Sequence, residues 1–553
     1  MATRFLNRYS IYILLIAIFS AHSFFLDALP VWDAYQYFNS LSVASFSLTT
    51  LPDLSYLPVR IMDNFNFFGH PTMGYALIMS IPQLIDGSNE LLVNLTNILL
   101  ALLSIFCFFK ILQFFFKDMP ELILFTAIYA FDPLFFGSTV FLNSDFPLLI
   151  FMTTALCSLL YNRKILFFLS CLLLLFSKEP GILLYFAMTL GISLYSAIYL
   201  LQRIAYKEKI EIHKILPFNT TDKSGVPHFI FKIICIVLPG ILMLIYLLSG
   251  SATWVLNTTT PTDWNTFGYN VNIIKTRLFQ IFGLNFHWIV SSVILVLLFV
   301  KGRLQDWSAE KKWFTIIVAL IFLFFVGFNV SYITHLLPRY VIEAGFFLLF
   351  ALALLLMKPS VNPYLRLGIL STILILFMIQ TFRTVDPVSK AFYGIYKMNN
   401  HELLKIEDYP EAAEGWIYNT EWTVKGKLYN KMNKEIEINE NTVLITRDSI
   451  ANFFFSDNNF YGMSKPSYID KKSLRKTMRS ENAFQYNLLT LDKLSTSNTP
   501  LEAIYIYRPW NYVTPKETNE LNIITRYYEI VWLKEINYQG YTLNAYKLKK
   551  IMH

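Results

Sequence analysis

Cysteine is scarce. The 553 residues hold four, Cys107, Cys157, Cys171 and Cys235, all in apolar runs, and the polar C-terminal stretch has none. Such usage reports neither a disulfide framework nor a metal site. The first apolar run, "IYILLIAIFSAHSFFLDAL", has no small-residue cleavage site, and many more apolar runs follow. It reads as an anchor rather than a removable leader. Internal repeats are absent, which weighs against transporters built from duplicated halves. No DxD cluster stands in the long loops between the apolar runs, so no metal is assigned from sequence.

What is present is apolar and aromatic. The chain is 55% hydrophobic and 17% aromatic, with 50 Phe and 33 Tyr, far more than one soluble core needs. Its mean hydropathy is +0.45. Several runs approach the ~20 residues that cross a hydrocarbon core as a helix. The fold class is a polytopic α-helical membrane protein. Eleven spans are expected: 11–29, 91–116, 121–140, 146–160, 165–177, 181–200, 229–249, 285–300, 313–331, 340–357 and 366–382.

Charge orients them. Seventeen Lys and Arg fall in the loops on the N-terminal side, against five on the other: Arg60, Lys178, Lys275, Arg277 and Arg339. The positive-inside bias places the N-terminus in the cytoplasm. An odd number of spans then puts the chain from residue 383 outside, at a bacterial inner (plasma) membrane. Two domains are expected, a membrane module over 1–382 and an extracytoplasmic α/β domain over 383–553. The first outer loop, 30–90, is half apolar and reads as short interfacial helices. The second, 250–284, reads as a loop. In the C-terminal domain, "NTVLITRD" (441–448), "EAIYIYRP" (502–509) and 528–550 read as strands, the last turning at Gln539-Gly540. "KKSLRKTMRSENAFQYNLL" (471–489) reads as helical.

Polar residues return to the outer face from distant parts of the chain. Asp33 follows the first span in "LPVWDAYQYFNS". His70 ends the first loop in "FGHPTMGY". Asp145 stands in "NSDFP", Lys178 and Glu179 in "FSKEPG", and Arg339 in "THLLPRY". Alone, each reads as a helix cap or an interfacial anchor. Together they form an ordered series.

That series resembles the membrane glycosyltransferases of the GT-C superfamily, in the branch of protein O-mannosyltransferases and the lipid A aminoarabinose transferase. The likeness rests on "WDAYQYF", "GHPTMGYALI", "LNSDFPLLIF", "FSKEPGILL" and "LPRYVIEAGFFLLF" and covers residues 1–380 in order and spacing. It implies transfer of a sugar from a polyprenyl-phosphate donor in the membrane to an extracytoplasmic hydroxyl, with inversion at the anomeric carbon. It implies a role in building the cell envelope or its glycans. The acceptor and the oligomeric state stay open, and no nucleic-acid partner is expected. Because some relatives use a divalent cation, the resemblance leaves room for one.

The chemistry suits these residue types. A hydroxyl is a poor nucleophile and needs a general base, typically worth ~10²–10⁴-fold. Asp33 is assigned that role and Asp145 its support. A departing phosphate needs cations, and Arg339, Lys178 and His70 are assigned to it. Glu179, Tyr340 and Tyr75 are supporting candidates. The rival class is a transporter or flippase for a lipid-linked sugar, which would carry its ionisable groups near the membrane midplane.

Overall fold

The computed structural model describes residues 2–26, 28, 73–85, 90–140, 143–211, 215–216, 226–248, 268, 270–300, 308–332, 336–358, 360–382, 385–398 and 401–404. It also describes short pieces between 423 and 436, then 443–446, 459–460, 501–507, 517–539 and 541–551. Asp33, His70, the first loop up to residue 72 and the helix expected over 471–489 lie outside the described residues. The described residues fall into two compact units. A helical unit takes in 2–26, 73–396 and 402–404; a smaller unit takes in 28, 397–398, 401 and those from 423 onward.

The helical unit runs α1 (Ala2–Ser23), α2 (Met73–Ile85), α3 (Glu90–Phe115), α4 (Met119–Ala130), α5 (Pro133–Ser138), α6 (Phe146–Leu160), α7 (Lys164–Leu175) and α8 (Pro180–Ala205). It continues with α9 (Val226–Leu248), α10 (Val271–Phe282), α11 (His287–Val300), α12 (Ala309–Ser331), α13 (Ala344–Leu356), α14 (Pro363–Phe382) and α15 (Pro387–Tyr393). Among the described residues, six helices are long and apolar enough to cross a membrane, or seven if the bent pair α10–α11 is one span. Four shorter apolar helices lie at Tyr9–Ser23, Met119–Ala130, Phe146–Leu160 and Lys164–Leu175, where other spans were expected. The chain is an integral membrane protein.

Two expected elements differ. The run 121–140 is not one helix. It breaks between α4 and α5, because Pro133 has no N–H to donate and disfavours helical backbone at Asp132. Asp132 instead caps α5, its carboxylate accepting from the N–H groups of Leu134 and Phe135 at 3.0 and 3.1 Å. The loop 250–284 is not all loop. Its last third is α10, capped by the Asn270 side chain on Asn272 and Ile273. The chain then bends by 43° into α11. Asn285 and Phe286 make the bend with left-handed φ of 56° and 62°.

Helix α9 carries Pro239 in its interior. The Tyr185 hydroxyl of α8 inserts there. It donates to the Ile236 carbonyl and accepts from the Gly240 N–H at 3.2 Å. These two groups would otherwise bond each other, so one side chain holds the break open while satisfying both. Helices α6 and α7 form an antiparallel hairpin, and α3, α8 and α9 pack along it. Its core is nearly all aromatic and aliphatic, as in Phe108, Phe125, Phe135, Phe146 and Phe346.

The smaller unit holds a five-stranded sheet: β1 (Val443–Thr446), β2 (Asn459–Phe460), β3 (Glu502–Tyr507), β4 (Tyr528–Tyr538) and β5 (Tyr541–Lys550), in the order β2-β1-β3-β5-β4. Strands β2, β1 and β3 are parallel; β3, β5 and β4 are antiparallel. Central β3 is buried at five successive residues, so its sequence does not alternate. Strand β4 alternates, and Tyr538 pairs with Tyr541 across a turn where Gln539 has φ 48°. The helix α16 (Glu517–Ile524) takes hydroxyls from the sheet: Tyr546 donates to Glu517 at 2.6 Å, and Tyr505 donates to Glu520.

Candidate active site

Three turns far apart in sequence meet at one end of the α6–α7 hairpin. The first precedes α6. Asn143 caps that helix, its side-chain oxygen accepting from the N–H groups of Asp145 and Phe146 at 3.0 and 2.8 Å. The Asp145 carboxylate makes no capping bond. It faces the second turn, between α7 and α8, where Lys178 Nζ donates to it at 2.6 Å. It also faces the third, the 3₁₀ turn Pro338–Val341, with Arg339 Nε at 3.5 Å. Asp145, Lys178 and Arg339 are 4%, 9% and 8% exposed, so they are not solvated anchors.

Tyr340 lies among the cations. Lys178 Nζ sits 4.3 Å from its ring centroid and the Arg277 guanidinium 5.5 Å, within reach of the ring's negative face. Arg277, on α10, is fully buried and donates to Gln280 at 2.9 Å and to the Leu337 carbonyl at 3.2 Å. Gln280 donates to the Leu336 carbonyl at 2.7 Å. So α10 holds the backbone that presents Arg339 and Tyr340. Tyr393 of α15 closes this side; burial pushes its phenol up, opposed by Gln280 and Arg277. Glu343, also buried, interacts with Asp145 and Lys178. Among the described residues, three cations, Lys178, Arg277 and Arg339, thus face two carboxylates. With both of these acids ionised, the described part of the cluster keeps a positive surplus, which suits an anionic ligand.

The first loop's end is anchored beside the same turn. The Gly74 N–H donates to the Phe176 carbonyl at 2.8 Å, two residues before Lys178. A Cβ on Gly74 would lie 3.2 Å from that carbonyl oxygen, so a side chain there would press on the contact. Tyr75 is buried and donates to Asn97 on α3 at 2.9 Å, which ties α2 to α3. Glu179 occupies the N-cap position of α8 without a capping side-chain bond. Of the residues expected at the site, Asp145, Lys178, Arg339 and Tyr340 therefore come together. Tyr75 instead bonds Asn97 on α3. Asp33 and His70 lie outside the described residues.

Sequence reasoning missed three buried groups. Arg277 was counted as a loop charge, because α10 was not recognised. Asp132 and His287 form a second buried pair, Asp132 Oδ2 to His287 Nε2 at 2.6 Å. The signal for Asp132 was its acid-Pro doublet, which mimics a simple cap and is one. Helix α5, which Asp132 starts, packs against the Pro338–Val341 turn. Among the described residues no three His, Cys, Asp or Glu side chains converge as a metal would require. Asp145 already faces two cations, so the cluster as described does not fit a resident divalent ion.

No family model matches the chain, and no curated protein matches it. Two solved structures of ArnT from Cupriavidus metallidurans are similar to it. The apo form has a TM-score of 0.50 at 11% identity, covering 97% of each chain. The form bound to undecaprenyl phosphate has a TM-score of 0.49 at 12% identity, covering 97% of this chain and 98% of that one. The similarity to the apo form runs nearly end to end, and the chain shares the fold of that structure.

Proposed function

We propose that the chain is a glycosyltransferase that moves a sugar from a polyprenyl-phosphate donor to an extracytoplasmic hydroxyl by inverting single displacement. The observation that carries this reading is the convergence of Asp145, Lys178, Arg339 and Tyr340 into one cationic cluster. Those residues come from three turns that the family resemblance singled out in order. The ArnT-like fold of the apo form supports it.

In this reading the acceptor oxygen attacks the anomeric carbon as the bond from that carbon to the phosphate oxygen breaks. Asp33 takes the hydroxyl proton. The electron pair leaves with the polyprenyl phosphate, whose growing charge Arg339 and Lys178 stabilise, with His70 as a further contact. Asp145 holds both cations in place before the donor arrives. No covalent enzyme intermediate is required. No step is assigned to a metal.

The test is transfer from a purified polyprenyl-phosphate sugar by the protein in nanodiscs, with a membrane extract as acceptor source. Wild type should transfer label. Arg339→Lys keeps the charge but loses the planar fork, so donor use should fall, and Arg339→Ala should fall further. Equal donor use by Arg339→Ala and wild type would remove Arg339 from the site.

A further inference from the structure

We propose that a cleft between α6, α7 and α9 binds the phosphate headgroup of an anionic membrane lipid. It lies at the end of the α6–α7 hairpin opposite Asp145 and Lys178. Fifteen residues of α6 separate the two ends, about 22 Å at 1.5 Å per residue. The cleft has about 360 Å³ of empty space, part of it open to the surroundings. Ser158, Asn162, Lys164, Leu216, Lys232 and Cys235 line it.

Three observations point to an anion there. Lys164 and Lys232 reach the cleft from different helices, and Lys232 is only 8% exposed. Ser158 is 2% exposed, and its hydroxyl has no hydrogen-bond partner among the described residues. Burying a hydroxyl without a partner is costly, so a ligand oxygen would relieve it. Helix α7 starts at Lys164, and Arg163 at its N-cap position makes no capping side-chain bond. Its first-turn N–H groups and its dipole therefore favour a negative group. Asn162, with φ 55°, folds the chain back so that the end of α6 and the start of α7 share the cleft.

The surroundings select a lipid over free phosphate. Ile165, Leu166 and Leu169 on α7 and Phe231 and Ile234 on α9 are large, apolar and exposed. Acyl chains would lie along these faces while the headgroup enters between the lysines. Charge counting puts this end on the cytoplasmic side, where anionic lipids draw basic residues.

The full-length protein in mild detergent is titrated with phosphatidylglycerol or phosphatidylcholine, and retained lipid is read by native mass spectrometry. Phosphatidylglycerol should be retained in preference. Lys164→Gln and Lys232→Gln should each weaken retention roughly five-fold, while Lys232→Arg keeps it. Because Lys232 is buried, Lys164→Gln at its half-exposed position tests the site without a folding penalty. Wild-type retention by the Lys164→Gln variant and by the double variant overturns the proposal. Competition by inorganic phosphate at the lipid's own concentration also overturns it, because the site would then be one for a soluble anion.

Discussion

Asn143 accepts the two N–H groups at the start of α6, and this leaves the Asp145 carboxylate to Lys178 and Arg339. An Asp at a helix start is ordinarily its cap. Here the neighbour two residues earlier does that work. The consequence separates two acids in experiment. Asp145→Asn removes the carboxylate that two nearly buried cations face, and breaking a buried ion pair typically costs ~3–5 kcal/mol. It should lower both the unfolding temperature and the turnover. Asp33→Asn should behave differently if Asp33 is the general base: expression, unfolding temperature and donor binding near wild type, turnover down by a factor on the order of 10² or more. Nanodisc transfer kinetics and a thermal melt on both variants distinguish them. Wild-type turnover by Asp33→Asn would sink the base assignment and shift it to another acid.

The turn between α7 and α8 is tight enough to test as an element. A Cβ on Gly181 would lie 2.1 Å from the Leu174 carbonyl oxygen, and the Gly181 N–H donates to the Lys178 carbonyl at 2.9 Å. Gly181→Ala should therefore move the turn that aims Lys178, lowering the unfolding temperature and donor affinity together. Gly368→Ala on α14 is the control. Nothing lies within 4 Å of a Cβ there, so the change should be neutral or stabilise by up to ~1 kcal/mol. A wild-type melt and donor affinity for Gly181→Ala would show that the turn can yield without cost. Legibility in the sequence follows the same local physics. Spans such as α3, α12 and α14 were readable because an apolar run of that length has few alternatives. Strands β3, β4 and β5 were readable from β-branched and aromatic runs, and Gln539-Gly540 from its turn chemistry. Helix α10 was not, because Lys275 and Arg277 made it look aqueous, whereas Arg277 is fully buried, donating to the Leu337 carbonyl and the Gln280 side chain. The break at Asp132 was hidden by the apolar residues on both sides. Asp145, Lys178 and Arg339 were legible as members of an ordered series. Their mutual pairing was not, because no periodicity encodes which turns meet.

Across the whole molecule, the alternation of loops has a physical counterpart in the helical unit. Turns assigned to one side of the membrane pair with one another. Arg366 lies 3.4 Å from Asp118 and 3.8 Å from Glu121, and Lys311 donates to the Phe115 carbonyl at 2.9 Å. The turns assigned to the other side meet at Asp145. Contacts of this kind sort the loops into two sets without saying which set faces the cytoplasm. The Lys and Arg excess supplies that direction and predicts an outcome. The four native cysteines all lie in apolar helices, and three of them are buried, so introduced thiols stand against a low background. A cysteine replacing exposed Thr525, in the C-terminal unit, should react with a membrane-impermeant maleimide in intact cells. One replacing exposed Lys209, after α8, should react only once the membrane is permeabilised. Five expected spans separate the two positions, so they must label from opposite sides. Labelling of both from one side would mean an even number of crossings between them and would break the span assignment. The reversed pattern would keep the spans but invert the molecule, placing the Asp145 cluster on the cytoplasmic face, and the acceptor would then have to be a cytoplasmic hydroxyl.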